Sequence, residues 1–339
     1  MKSIICGLNN RGNTCFLNTC IQLLINVDEL SNYFLNNDYV SDLNDNFKSK
    51  KLKNTKDIDI TFHYSELVKN MSQKNTFIDP KNFHISVQKS NSNFSGFEQQ
   101  DSQEIMILIL DLLNESLNYD IDINYKGVIE NKNDELMVES IKAWSDILKG
   151  KYSIISDLFY GLFINNVYNN KNHKVLSKTF ECFNMITLSM VDNNLYSMLD
   201  HFFRKEDLDE EYYDEKTKKK YIASRQMKIM NAPKYLTIIF KKYNSLRGKN
   251  NQEIVFPLID LNLQKYCEGY DSFECLYDLI GVGCHVGDLN FGHYFSIIKK
   301  NDNKWYNFND SNVSIFDIEN NKKMLYQNSY ILMYKKTTN

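Results

Sequence analysis

Over the first third of the chain, apolar positions recur at helical spacing. In GLNNRGNTCFLNTCIQLLIN (7–26) a polar, glycine-bearing loop gives way to Phe16, Cys20, Leu23, Leu24 and Val27 on one face. The spacing predicts an amphipathic helix beginning near residue 15, with Asn13 and Thr14 as capping residues. EQQDSQEIMILILDLLNESL (98–117) carries a wider stripe, Ile105, Leu108, Ile109, Leu112, Leu113 and Leu117, and predicts a second helix with Gln99, Gln100 and Asp101 at its start. Short helices or connectors are predicted at 63–71 and 79–87, with a helical piece at 136–148. The polar segment 36–56 reads as a loop or insertion.

From residue 153 the period changes. SIISDLFYGLFINNVY is apolar and β-branched, as strands are, and 179–190 predicts another strand. Residues 195–203 predict a short helix, followed by an acidic run (206–215) and KTKKK, the pattern of a solvated hairpin tip. Residues 227–243 read as strand, turn at Pro233, strand. The last third predicts strands at 253–263, 277–286, 293–298, 304–308 and 329–334, which suit an antiparallel sheet. Helices first and strands later, without βα alternation or an internal repeat, predict an α+β fold.

A chain of 339 residues that is 42% hydrophobic buries a full core and has room for two or three subdomains. Lys+Arg 40 against Asp+Glu 43 leaves a net charge of −3, which argues against nucleic-acid or membrane-surface binding. The longest aliphatic run, 105–110, is too short to span a bilayer, and MKSIICGLNN lacks the apolar stretch of a secretory signal. Seven cysteines, scattered and without a C-x-x-C pair, speak against a disulfide framework or a four-thiolate zinc site. They fit a reducing compartment, the cytoplasm or nucleus.

Chemistry enters at Cys15. A thiol at a helix N-terminus faces unpaired N–H groups and the positive end of the macrodipole, and both favour the nucleophilic thiolate. The competing reading is a small buried hydrophobe. A thiolate needs a proton acceptor near neutral pH, and histidine is the default. Among six histidines, His293 in GDLNFGHYFSII sits at a strand mouth beside a tip flanked by Gly287 and Gly292, whereas His285 falls inside a predicted strand. Further on, WYNFNDSNV offers Asn309 or Asp310 to hold the imidazole. Cysteine, then histidine, then an amide or carboxylate is the chain order of papain-like thiol proteases. A satisfied surface histidine and an ordinary turn are the plainer alternatives.

GLNNRGNTCFLNTCIQLL, EQQDSQEIMILILDLL, GCHVGDLNFGHYFSII and WYNFNDSNVSIF resemble the boxes of the ubiquitin-specific proteases, the papain-like deubiquitinases. WSDILKGKYSIISDLFYG, ASRQMKIMNAPKYLTIIFKKY, VFPLIDLNL and NSYILMY extend the resemblance, in order, over nearly the whole chain. It implies one catalytic domain (1–339) with a helical thumb (about 1–150), β fingers with parts of the palm (160–245) and a β-rich palm (246–339). It implies Cys15 as nucleophile, His293 as general base, Asn309 as third catalytic residue with Asp310 a further candidate, and Asn10 as oxyanion donor. For the basic ubiquitin tail it implies Asp101 as partner of a tail arginine, with Tyr294 lining the channel and Gln100 and Gly292 beside it. The loop 286–291 matches a mobile family loop over the cleft. The family's finger zinc pairs fall on Asn170 and His173, and on Asp214 and Thr217, so no metal and no cofactor is expected. The implied partner is ubiquitin or ubiquitinated protein, with the chain acting as a monomer. The alternatives are a catalytically weak ubiquitin-binding pseudo-protease and a protease for another ubiquitin-like modifier.

Overall fold

The computed structural model describes residues 3–48, 55–74, 76–94, 96, 98–121, 123, 126–244, 248–288 and 292–337. Its N-terminal part is helical: α1 (Cys15–Ile25), α2 (Asp28–Leu35), α3 (Tyr39–Lys48), α4 (Thr55–Gln73), α5 (Lys81–Ser90), α6 (Ser102–Leu117), α7 (Lys132–Leu148) and α8 (Ile154–Phe159). A short parallel ladder, β1 (Gly7–Leu8) with β2 (Phe77–Ile78), ties the N-terminal strand to the loop before α5.

α1 is buried on every side, not on one face alone. It packs on α6 on one flank and on the central sheet on the other. Its polar Gln22 is accommodated because Nε2 donates to the Cys6 carbonyl at 2.8 Å. The segment expected to be a loop contains α3, because Tyr39 packs on Phe34 (5.4 Å between rings) and the Tyr33 hydroxyl donates to Asp42. Residues 49–54 of that segment lie outside the described residues. In SIISDLFYG the strand reading gives way to α8: the Ser153 Oγ accepts from Ile155 N and Ser156 N, a capping box that starts a helix despite the β propensity of the apolar residues after it.

Two larger sheets make most of the rest. The fingers sheet runs β4 (Val175–Phe183), β3 (Gly161–Asn169), β9 (Ala223–Asn231), β6 (Glu206–Asp207). The palm sheet has eight strands in the order β17 (Asn312–Phe316), β16 (Trp305–Asn309), β15 (Gly292–Lys299), β14 (Leu276–Gly287), β18 (Ser329–Lys336), β10 (Tyr235–Lys241), β5 (Ile186–Ser189), with β13 (Leu261–Asn262) on β14. Its pairs are antiparallel except β5 with β10. The single strand expected at 179–190 is two, because the chain leaves the fingers sheet after β4 and joins the palm as β5. Most of 253–263 is irregular, and β17 and α10 (Lys322–Asn328) were not anticipated.

Both faces of the palm sheet are covered. Along β18, Ile331 and Met333 pack toward the helical core, while Leu332 and Tyr334 pack into a second core with α9 (Leu195–Phe202). Strands covered on both faces read as continuous apolar runs, which is why TIIF and YILMY show no alternation.

At the finger tips, β7 (Tyr212–Asp214) and β8 (Lys219–Tyr221) form the charged hairpin. The Asp214 carboxylate accepts from Lys216 N at 2.9 Å and from the Thr217 hydroxyl at 2.8 Å. Asn170 accepts from the Ser224 hydroxyl at 2.8 Å and donates to Asp207 at 3.1 Å. A tetrahedral zinc needs thiolate or imidazole donors that Asn170 and Thr217 do not offer, and Asp214 and Asn170 already serve their own turns. These residues do not fit the metal.

Candidate active site

The site forms where α1, β15 and β16 meet. Asn10 organises the loop before α1: its Oδ1 accepts from Gly12 N at 3.0 Å, from Thr14 N at 3.1 Å and from the Thr14 hydroxyl at 3.3 Å. The Thr14 Oγ1 in turn accepts from Arg11 N at 2.9 Å. Thr14 therefore faces back into the loop and does not cap α1 through its side chain, contrary to the expectation from sequence. A helix leaves its first N–H groups without intrahelical partners, so Cys15 sits at a mouth whose donors point outward. Only 3% of Cys15 is exposed, so a substrate must bring a slender chain to it.

His293 stands at the start of β15 and Asn309 at the end of β16, at one end of the palm sheet. His293 Nε2 lies 2.7 Å from Asn309 Oδ1, an acceptor, so Nε2 carries the proton there. Nδ1 is left for Cys15, which acts on the protonation of the imidazole. The interaction with Cys15, then the Asn309 bond and the nearby Asp310 charge, push the imidazole pKa up to about 9 against a burial penalty.

Asp310 is the hub behind this pair. Its Oδ2 accepts from Asn10 Nδ2 at 2.9 Å and lies 4.0 Å from His293 Nε2, and its Oδ1 accepts from Asn18 Nδ2 at 2.8 Å. Its backbone carbonyl accepts from Leu8 N at 2.9 Å and its φ is +50°. Asn10 thus points its amide nitrogen at the site, with one proton on Asp310 and one left over. Asn18 was missed in the sequence reading. Its only signal was a polar side chain one turn beyond Cys15 in an apolar helix.

Asp101 is the N-cap of α6, its Oδ1 accepting from Gln103 N at 2.7 Å. The Tyr330 hydroxyl also donates to this carboxylate, at 2.8 and 2.7 Å from its two oxygens. Tyr294 packs beside Tyr330 and over His285, with ring centroids 6.2 and 4.4 Å away. His285 is buried and accepts or donates through Nδ1 with the Tyr243 hydroxyl at 2.6 Å. Burial, with Lys249, His293 and Lys242 nearby, pushes its pKa down to about 3, which suits a neutral packing residue. Gly292 N donates to Gln99 Oε1 at 2.8 Å, and a Cβ at 292 would lie 2.0 Å from His285 Nε2, so only glycine fits. Gln99, next to the expected Gln100, is the residue that bridges from the helical side to the strand carrying His293. Gln100 is half-buried in the same leader. Residues 289–291 of the expected mobile loop lie outside the described residues.

Four of the other thiols are poor nucleophiles. Burial pushes Cys6 and Cys182 up to about 11, Cys284 to about 12, and Cys20 well above its usual value.

Comparison with known proteins agrees. The family described as ubiquitin carboxyl-terminal hydrolase matches residues 6–334. Ubiquitin carboxyl-terminal hydrolase 4 of Saccharomyces cerevisiae is 27% identical over 97% of this chain and 39% of its own length. Ubiquitin carboxyl-terminal hydrolase Usp2 of Drosophila melanogaster is 28% identical over 98% of this chain and 35% of its own. The chain therefore spans less than half the length of these relatives. Among solved structures, the SAGA DUB module of Ubp8, Sgf11, Sus1 and Sgf73 bound to monoubiquitin superposes with a TM-score of 0.73, at 23% identity, over 98% of this chain and 69% of that one. The same assembly bound to ubiquitin aldehyde gives 0.73 at 22% identity, covering 100% and 72%. These structural likenesses carry the α+β fold, and with residues 6–334 matched by the family, this chain belongs to the ubiquitin carboxyl-terminal hydrolase family.

Proposed function

We propose that this chain hydrolyses the peptide or isopeptide bond that follows the C-terminal glycine of ubiquitin, through a thioester on Cys15. The observation that carries the reading is the imidazole of His293, held through Nε2 by Asn309 Oδ1 at 2.7 Å and raised in pKa first of all by Cys15. The Cys15 thiolate attacks the glycine carbonyl carbon. Negative charge builds on the carbonyl oxygen, where the Cys15 N–H and the spare proton of Asn10 Nδ2 are placed to receive it. His293 gives its proton to the departing amine as the C–N bond breaks, leaving the acyl group on sulfur. A water then loses a proton to His293 and attacks the thioester. The thiolate leaves, and the ubiquitin carboxylate is released.

Substrate choice follows from the approach. A nucleophile this enclosed accepts an extended Gly-Gly end more readily than a bulky one, and the Asp101 carboxylate offers a basic tail a charge-assisted partner. Tyr294, Gly292 and Gln100 border that approach. All catalytic groups come from one chain, which supports action as a monomer. The free thiols fit a reducing compartment, the cytoplasm or nucleus.

The test is steady-state hydrolysis of C-terminal fluorogenic amides of ubiquitin and of other ubiquitin-like modifiers. The reading requires turnover of the ubiquitin amide that is lost in Cys15→Ala. Binding of ubiquitin with no turnover would make the chain a pseudo-protease, and turnover of another modifier alone would reassign the substrate.

A further inference from the structure

Among the described residues, the end of strand β14 has no strand beside it on the β18 side. β18 pairs with β14 only as far as Ser329 opposite Cys284, while β14 runs on through His285 and Val286 to Gly287. The extension matters, because Val286 lies directly across from His293 and Gly287 across from Gly292. Lys249 fills the place. Its Nζ donates to the His285 carbonyl at 2.8 Å and to the Gly287 carbonyl at 3.0 Å, two carbonyls that flank the residue opposite His293. Lys249 reaches this point from a two-strand ladder, β11 (Tyr243–Asn244) with β12 (Gly248–Lys249), in which Tyr243 lies across from it. Tyr243 holds the His285 ring from the same ladder, at 2.6 Å. Burial pushes the Lys249 pKa down, which agrees with an ammonium taken out of water to serve backbone acceptors.

We propose that Lys249 is a positioning residue for His293: its ammonium stands in for the missing strand at the end of β14 and so fixes the hairpin edge that sets the imidazole against Cys15. The proposal rests on the Cys15–His293 reading above. One donor group bonding two carbonyls two residues apart constrains both position and twist of the strand end. Gln99 holds the facing strand through Gly292 N, so β14 and β15 are each pinned at the mouth of the site.

The experiment compares the wild type with Lys249→Met, Lys249→Gln and Lys249→Arg. Two quantities are measured: the rate of Cys15 alkylation by iodoacetamide near neutral pH, located by peptide mass mapping, and kcat and KM on the ubiquitin fluorogenic amide. Misplacement of a catalytic group by an ångström costs up to about 10²-fold, so Lys249→Met is expected to slow alkylation and lower kcat by about 10- to 100-fold, with a smaller change in KM. Lys249→Arg, which can bridge both carbonyls, restores most of both rates, and Lys249→Gln falls between. Wild-type alkylation and kcat in Lys249→Met would overturn the proposal. So would a rise in KM alone, which assigns Lys249 to ubiquitin contact, or an arginine variant no better than methionine, which assigns it to packing. If Lys249→Met does not fold, the Arg and Gln variants decide: equal, wild-type rates in both overturn it. His293→Ala is run beside them. If it alkylates and turns over like the wild type, the Cys15–His293 pair fails whatever Lys249 does.

Discussion

Asp310 Oδ1 and Oδ2 each accept an amide proton, from Asn18 and Asn10, in a part-buried place beside the imidazole. Replacing Asp310 by Ala removes the acceptor of Asn10 Nδ2, at about 1–3 kcal/mol for a buried group left unpaired, leaves Asn18 Nδ2 only its 3.4 Å contacts to the Leu8 and Asn9 carbonyls, and loosens the Asn10 amide nitrogen. Loss of one oxyanion donor costs about 10²–10³ in kcat, and Asp310→Ala is expected to approach that figure with little change in KM, measured on the ubiquitin amide. Asp101 separates two roles. Asn caps helices as well as Asp does, so Asp101→Asn keeps α6 intact while removing the charge offered to a basic tail. Its KM is expected to rise by about tenfold or more at unchanged denaturant midpoint, whereas Asp101→Ala also loses about 0.5–2 kcal/mol of stability. A rise in KM for Ala but not Asn would return Asp101 to a purely structural part. For His293 the linkage has a definite sign. Its pKa is raised from 6.5 to about 9 in the fold, so its contribution to stability is complete below pH 6.5 and is lost as pH climbs toward 9. Denaturant unfolding of wild type minus His293→Ala, at pH 6 and again above pH 9 on the scale set by that shift, should show the difference shrink.

At the level of elements, Gly292 shows how a backbone position can be functional without a side chain. A methyl there meets His285 at 2.0 Å and pushes apart the strand end that carries His293. Gly292→Ala is expected to lower kcat by about 10- to 100-fold, with the two cores, and so the thermal midpoint, little affected. A large fall in melting temperature with normal kcat in the folded fraction would contradict that. The long amphipathic runs of α1 and α6 were legible, as were the strands that carry His293 and end at Asn309, since their periods are strong and their flanks punctuated. Other elements were decided by features that periodicity does not carry. α8 follows from the Ser153 capping box and not from its β-branched letters. α3 follows from a tyrosine packed on Phe34. β4 and β5 were fused because nothing local marks a chain passing between sheets. The same limit applies to the site: Cys15, His293 and Asn309 stand in recognisable boxes, but Asn18, Gln99, Tyr330 and Lys249 act through hydrogen bonds to residues far along the chain, and these exist only in the fold.

For the whole molecule, the fingers and the palm pose the larger test. The finger turns are closed by Asp214, Thr217, Asn170 and Ser224 in place of metal ligands. Treatment with EDTA is therefore expected to leave both melting temperature and turnover of the ubiquitin amide unchanged, and a fall in either would show a metal at work. Helix α1 and the palm bring one sulfur, one imidazole and one amide together from residues 15, 293 and 309, with Asp310 joining their supports. A covalent capture reads that convergence directly: ubiquitin bearing a thiol-reactive electrophile in place of its C-terminal carboxylate, incubated with the chain and analysed by intact mass and peptide mapping. The account predicts a single adduct on Cys15, absent in Cys15→Ala and much slower in His293→Ala. No adduct with the wild type, or an adduct on any other cysteine that survives Cys15→Ala, would contradict it.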